Sequence, residues 1–420
     1  MKKKLIYFMF FLFPAMYSCL DTPEMAGGIP NMRKEPTVTS GENTSSSDGI
    51  LELTGTVTSV GKIGTFFKKG FRWGYSATNF TDSVFLENTD PETGDFFYQL
   101  SNVRGDTTVY WQAFARNDFG SSFGNIISYM TPPIFTYNAG YSFTGAQRSD
   151  FTFFTLNNNL YFTCGYRNVF FSDINRFDKT NWWYTVPAFP GAARANLVAF
   201  TIDSLAYVGT GRAILPNIFG DFYVFNGNAH EWNGVPIQTP TEMSRYDAVA
   251  FSLNNKGYVL GGNSGNGVLS DVWEYSVTNG IDAWRKMNDF PYSFSGGLSF
   301  SNNERVFVGF GSNNTRDSLW EYNAAADSWK VFASSPTNSQ GEQARIYSGV
   351  ITHDKIYLLD VTNIIWELDL ATGMYKQKSM LPEKFPSPPP SQYMFYLGDA
   401  IYIGLGVTEL FYRYYPLWDN

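Results

Sequence analysis

The sequence predicts an all-β protein, and three observations carry that reading. With 44% hydrophobic and 18% aromatic residues in 420, the chain has material for one large core or two separate ones. Its 38 glycines and 20 prolines, with many Asn and Asp, cut it into short apolar runs that suit strands. No long stretch places apolar residues at helical spacing.

The first residues stand apart from any fold. "MKKKLIYFMFFLFPAMYSC" combines three lysines, an apolar run from Leu5 to Met16 and a small residue before Cys19. It is too short to span a bilayer as a mature helix and reads as a secretory signal over residues 1–18. Because the apolar run ends at Ser18-Cys19, it resembles a bacterial lipoprotein signal, which implies lipidation of Cys19 and a membrane contact through acyl chains only. Asp21 and Glu24 resemble the surface-export signals of Bacteroidota lipoproteins. The expected location is the outer membrane, on its periplasmic or its surface-exposed side.

Removing the leader takes away three positive charges and shifts the net charge from −8 to −11. An acidic chain with 2 histidines argues against nucleic acid as a partner. With Cys19 lipidated, Cys164 has no disulfide partner, and its apolar setting, "NLYFTCGY", marks it as a buried small hydrophobe. Residues 19–48 carry no aromatics and much Ser, Thr, Gly, Pro and Asn, the composition of a flexible tether.

A small β domain is expected over residues 49–131. "ILELTGTVTSVG", "KKGFRWGYS", "DFFYQLSNV" and "TTVYWQAFARNDFG" alternate apolar and polar residues between Gly- and Asp-rich breaks. In the last run Tyr110, Gln112 and Phe114 share one face and Trp111, Ala113 and Ala115 the other. The run resembles the F strand of a fibronectin type III or immunoglobulin-like sandwich, with Tyr110 at the tyrosine corner and Trp73 as the core tryptophan.

The rest repeats. With Tyr258 as an anchor, equivalent aromatics stand at Tyr161, Tyr207, Phe307, Tyr357 and Tyr402. Their spacings are 46, 51, 49, 50 and 45 residues. Seven residues before each anchor comes an apolar residue: Phe154, Phe200, Phe251, Phe300, Val350 and Phe395. Four after it comes glycine, at Gly165, Gly211, Gly262, Gly311 and Gly406, with Val361 the exception. A strand with aromatics two apart follows, as in Trp273/Tyr275 and Trp320/Tyr322, and then a last aromatic: Trp183, Trp232, Trp284, Trp329 or Tyr375.

A period of this length suits four strands per unit, and such a unit covers its faces only by stacking on neighbours in a ring. Glycine is expected where a crowded inner strand leaves no room for a side chain. The pattern resembles the kelch repeats of a six-bladed β-propeller over residues 134–420, with the family's Gly-Gly intact at Gly261-Gly262. The last copy ends soon after its third strand, so "IFTYNAGYSFTG", residues 134–145, is expected to supply the missing outer strand.

In such a ring the loop leading into each innermost strand and the loop after the glycine share one face. Arg148, Arg194 and Arg245 sit six residues before the inner-strand apolar position in the first three units, and Arg345 one residue out of register in the fifth. Arg212 and Arg316 lie in the loops after the glycine, and Tyr246, Tyr347 and Glu342 stand beside the arginines. A ring of guanidinium forks suits an anionic ligand, since Arg pairs bidentately with carboxylates. The alternative is that these arginines bond neighbouring loops. His230 and His353 fall on the opposite face, in the second and fifth units, so no shared metal is expected, and no cofactor.

Two functions follow from these residues. One is a non-catalytic binding protein for a glycan or for an envelope or extracellular protein. The other is an enzyme: bacterial kelch propellers include the sialic-acid mutarotase (N-acetylneuraminate epimerase), which implies an arginine cluster for the carboxylate and Glu342 as the group that moves a proton.

Overall fold

The computed structural model describes residues 34–41, 44–45, 49–62, 64, 66–86, 92–137, 142–143, 145–178, 180, 182–302, 304–312, 315–338, 340–382, 392–398, 400–405 and 410–419. The signal sequence 1–18, the lipidation residue Cys19, most of the tether 19–48 and the glycine expected at Gly406 lie outside the described residues. The chain is all-β and divides into two compact units. The first gathers Glu52–Tyr98 and Tyr110–Ser128 with the chain up to Thr44; the second gathers Ser45–Leu51, Gln99–Val109 and Tyr129–Asn420.

The first unit is built on two sheets. In one, Leu51–Ser59 lies between Thr37–Ser40 and the strand that ends in the Gly94–Leu100 run. In the other, Phe67–Gly74 pairs with Asp82–Phe85 on one side and with the Tyr110-bearing strand on the other, which pairs in turn with Gly120–Phe123. Phe71 of the second sheet meets Phe96 of the first at 4.9 Å between ring centroids. The buried tryptophan of this core is Trp111, 2% exposed; Trp73, expected in that role, is half-buried and stacks on Tyr98 instead.

The second unit contains six four-stranded antiparallel sheets, the blades of a β-propeller. Their innermost strands are Thr152–Leu156, Val198–Ile202, Val249–Leu253, Leu298–Ser301, Ile346–Ile351 and Tyr393–Leu397, which number blades 1 to 6. The seven-residue offset in the sequence is a cross-strand pair. Phe154 faces Tyr161, Phe200 faces Tyr207, Phe251 faces Tyr258, Phe300 faces Phe307, Val350 faces Tyr357 and Phe395 faces Tyr402. The late aromatic has the same origin: Phe177 faces Trp183, Phe225 faces Trp232, Tyr275 faces Trp284 and Tyr322 faces Trp329.

These pairs fill the wedges between blades, as bulky flat side chains do where two sheets diverge. One core cluster joins Phe154 and Tyr161 of blade 1 to Ala206, Val208 and Phe225 of blade 2. Alternate residues of the inner strands point the other way, and Thr155, Thr201, Ser252 and Ser301 line a central channel. The expected closure is observed. Phe135–Tyr137 pairs with Phe411–Tyr414 as the outer strand of blade 6, setting Phe135 against Tyr414 and Tyr137 against Tyr412.

The recurrent glycine has a different reason from strand crowding. Gly165, Gly211 and Gly262 follow the strand and adopt φ of +101°, +94° and +93°, where a side chain is strained. A Cβ on each would also lie within 2.8 Å of a backbone oxygen of the neighbouring loop.

Candidate functional site

The arginines expected at the channel mouth divide into two groups. Arg148, Arg194 and Arg245 are buried, at 1%, 1% and 0% exposure. Each guanidinium is engaged bidentately by the aspartate that precedes the third strand of its own blade. Arg245 Nη1 donates to Asp271 Oδ1 at 2.7 Å and Nη2 to Oδ2 at 2.9 Å. Arg194 makes the same pair with Asp221 at 2.5 and 3.1 Å, and Arg148 with both oxygens of Asp173. Their Nη1 groups also donate to the carbonyls of Cys164, Thr210 and Gly261, and their Nε groups to Ala146, Ala192 and Met243. Phe171 and Phe219 cover two of the guanidinium planes at 3.8 and 3.7 Å.

This corrects the expectation that these three line a ligand site. A fork with both nitrogens on one carboxylate and its remaining donors on carbonyls has nothing to offer a ligand. They are clamps between the leading loop and the loop after the glycine. The aspartates were the overlooked signal: they follow their arginines by 25, 27 and 26 residues. Burial pushes the Asp271 carboxyl up, but hydrogen bonds and charge from Arg245, with the Trp273 indole, outweigh it and hold it below the usual range.

The clamp is missing in blades 4 and 5. Phe294, fully buried, stands where blade 4 would carry the arginine, and Ala344 stands there in blade 5. Arg345 is displaced outward and exposed, as is Arg316 in the loop after the glycine of blade 4. The aspartate nearest Arg345 in the next loop, Asp360, is occupied: its carboxylate accepts from Thr362 N and Oγ1, Ile364 N and Trp366 Nε1. A cleft of about 670 Å³ opens here, lined by Arg316, Arg345, Tyr347, Phe310, Gly311 and Val361 among others. Neither arginine has an acidic partner among the described residues.

Tyr347 ties the cleft lining to the residue before the inner strand of blade 6. Its hydroxyl donates to Gln392 Oε1 at 2.9 Å, and burial, with Asp360 and Tyr393 nearby, pushes its pKa up. Tyr393 is pushed up to about 12 by burial and by the charge of Asp150. Asp150, Asn196, Asp247 and Gly296 occupy equivalent left-handed positions in blades 1 to 4, at φ of +55°, +59°, +53° and +63°. Backbone bonds link them: Asn196 N donates to Asp150 O and Gly296 N to Asp247 O, both at 2.8 Å. The Asp247 carboxyl is raised, first by burial and then by the charge of Asp150, against Arg212 and an Asn196 hydrogen bond. The Arg212 guanidinium lies 5.3 Å from the Tyr246 ring centroid. Asp150, Asn196 and Asp247 were missed in the sequence because their importance rests on a left-handed turn with no fixed residue type.

Glu342 is not brought to this group. It is exposed, lies outside the cleft lining, and accepts a bond from Asn338 Nδ2 at 3.2 Å. His230 bridges Tyr161 Oη at 2.9 Å and Arg176 Nη1 at 2.6 Å, whereas the His353 carbonyl accepts from Asn302. No group of three or more His, Cys, Asp or Glu that could hold a metal occurs among the described residues.

No protein-family model and no curated protein matches this chain. A solved β-propeller, titled "Structure of YjhT", resembles it with a TM-score of 0.50 and 14% identity, covering 64% of this chain and 94% of that one. The likeness is one of fold.

Proposed function

We propose that the propeller binds a carboxylate-bearing ligand, an acidic sugar, in the cleft between blades 4 and 5. One observation carries this reading. Blades 1 to 3 satisfy their clamp arginine with an internal aspartate, while Arg316 and Arg345 face a cleft with no such partner. A ligand carboxylate would take the place that aspartate fills elsewhere, with Tyr347 beside it. Phe310, Ile346 and Val361 supply an apolar wall for the rest of the ligand.

A second observation favours catalysis on that sugar over non-catalytic binding. Asp150 and Asp247 interact electrostatically on the same face, and Asp247 holds its proton to higher pH than an ordinary aspartate. One carboxylate that takes the anomeric hydroxyl proton and one acid that protonates the ring oxygen are what ring opening of a sugar hemiketal needs. On the mutarotase reading Asp247 joins Glu342 as a candidate proton carrier, its backbone carbonyl accepting from Gly296 N of the cleft lining. The propeller shared with YjhT is consistent with it. The finer assignments rest on sequence alone: a fibronectin III or immunoglobulin-like first unit, a lipid on Cys19 and an outer-membrane location. A binding role toward an envelope protein rests on the same ground.

The test is ligand-observed NMR with neutral and acidic sugars, including freshly dissolved sialic acid. Saturation transfer to carboxylated sugars is expected, falling at least tenfold in Arg316→Ala/Arg345→Ala; equal transfer to neutral sugars sinks the reading. Faster exchange between the sialic-acid anomers, abolished by Asp247→Asn with binding retained, would establish the enzyme. Binding without acceleration would establish the binder.

A further inference from the structure

We propose that the solvent-facing side of the five-stranded sheet in the first unit is a second binding surface, for an acidic polysaccharide. Strand register puts one set of side chains on this side. Lys68 lies opposite Arg116, Gly70 opposite Phe114 and Arg72 opposite Gln112, while Phe85 flanks Gly70 and Phe123 flanks Phe114. The alternate residues Phe71, Trp111, Ala113 and Ala115 point into the core, whereas Lys68, Phe85, Arg116 and Phe123 of this side are exposed.

Three features fit the surface to a polyanionic sugar chain. First, Phe85, Phe114 and Phe123 form a row across the sheet, with centroids 5.1 and 6.2 Å apart and the outer rings 39% and 46% exposed. Phe114 between them is buried, 7% exposed, and the two outer rings, held in water on either side of it, suit the C–H face of a pyranose. Second, Gly70 lets the neighbouring strand and the Phe114 ring close tightly over it, since a Cβ there would lie 1.9 Å from Val84 O and 3.0 Å from that ring, so the row lies flat on the sheet. The row spans four strands, about 14 Å, long enough for an extended chain to lie in it.

Third, the charge is of one sign. Lys68 Nζ lies 5.2 Å from the Phe85 ring, and the Arg72 guanidinium 4.1 Å from Phe123 and 4.6 Å from Phe80. Lys68 and Arg116 are directly opposed like charges, an arrangement that destabilises a sheet unless an anion lies between them. Among the described residues neither has a carboxylate partner and no acidic side chain shares the register positions of this side. In a chain of net charge −8 such a patch complements a carboxylated or sulfated polymer.

The test uses the full chain, with polygalacturonate as the probe and dextran as the neutral control, in affinity electrophoresis at low and at raised salt. Retardation by polygalacturonate alone, weakened by salt, is expected. Lys68→Glu/Arg116→Glu should reduce the affinity at least tenfold, and Phe123→Ala, which keeps the charges, about fivefold, with circular dichroism confirming the fold. Lys68→Glu/Arg116→Glu should lower the affinity by the same factor in the Arg316→Ala/Arg345→Ala background, which separates this surface from the propeller cleft. No retardation, retardation indifferent to Lys68→Glu/Arg116→Glu, or retardation lost only with the cleft arginines would overturn the proposal. So would tighter binding to polyglutamate or to phosphatidylserine vesicles than to the polysaccharide.

Discussion

Blades 1 to 3 and blades 4 and 5 use the same loop for opposite ends. In the first three, an arginine and an aspartate close on each other and the loop becomes a buried clamp. In blade 4 the aromatic ring of Phe294 fills that space, 5.5 Å from Phe290, and in blade 5 the arginine slips one residue and turns to solvent. The difference teaches that an arginine in this loop does not by itself make a clamp. What decides is whether a carboxylate waits at the far end of the next loop. Blade 5 shortens that loop, and Asp360 spends its oxygens on Thr362, Ile364 and Trp366. A polar clamp rigidifies one half of the ring, and an apolar plug in the other leaves arginines free.

The sharpest way to break this comparison is to remove a clamp. Arg245→Ala should cost about 3–5 kcal/mol, because it leaves Asp271 buried and unpaired. Urea unfolding should rank the losses Arg245→Ala, then Arg194→Ala, then Arg148→Ala. That order follows the exposure of the partner carboxylate, 14%, 29% and 40%, since water relieves a stranded charge. Equal losses at all three would mean that the fork, and not the buried charge, is what matters.

The plug is the next lever. Phe294→Ala empties a fully buried site and should cost about 3–4 kcal/mol in the same measurement, without the pH dependence of a clamp. Acid separates the two halves further. Asp271 is held below its unfolded pKa, so its contribution is present above about pH 4 and is lost as pH falls through the folded value. The unfolding midpoint of the wild type should therefore drop between about pH 4 and 2 more steeply than that of Arg245→Ala.

Removing the free arginines should do little to stability. Arg316→Ala/Arg345→Ala should shift it by no more than about 0.5 kcal/mol while ligand transfer is lost. The smallest effect belongs to Asp247→Asn. Its carboxyl is raised in the folded state, so ionisation opposes folding, and stability is gained as pH falls through the folded pKa. The asparagine variant should remove that slope and gain up to about 0.5 kcal/mol at neutral pH.

Much of the ring was legible in the sequence because period and pairing are the same fact. A phenylalanine seven residues before a tyrosine is a two-residue hairpin with both rings on one face. The closing strand was legible because blade 6 lacked a fourth strand and 134–145 had no other partner. The site was legible only in part. Arg316, Arg345 and Tyr347 line one cleft, and Arg212 lies over Tyr246. Arg148, Arg194 and Arg245 were misread because an exposed-looking loop arginine and a buried one share the same local sequence. Only the aspartate, 25 to 27 residues away, distinguishes them. Phe85 and Phe123 drew no notice, because register, and not composition, sets them on one side of a sheet.

The strand Phe135–Tyr137 has a consequence for the order of events at the ribosome. It is made before every other strand of the blades, yet its partner Phe411–Tyr414 comes last, about 270 residues later. At about 5–20 residues per second that is on the order of tens of seconds. For that time an aromatic edge waits unpaired, able to template a neighbouring chain.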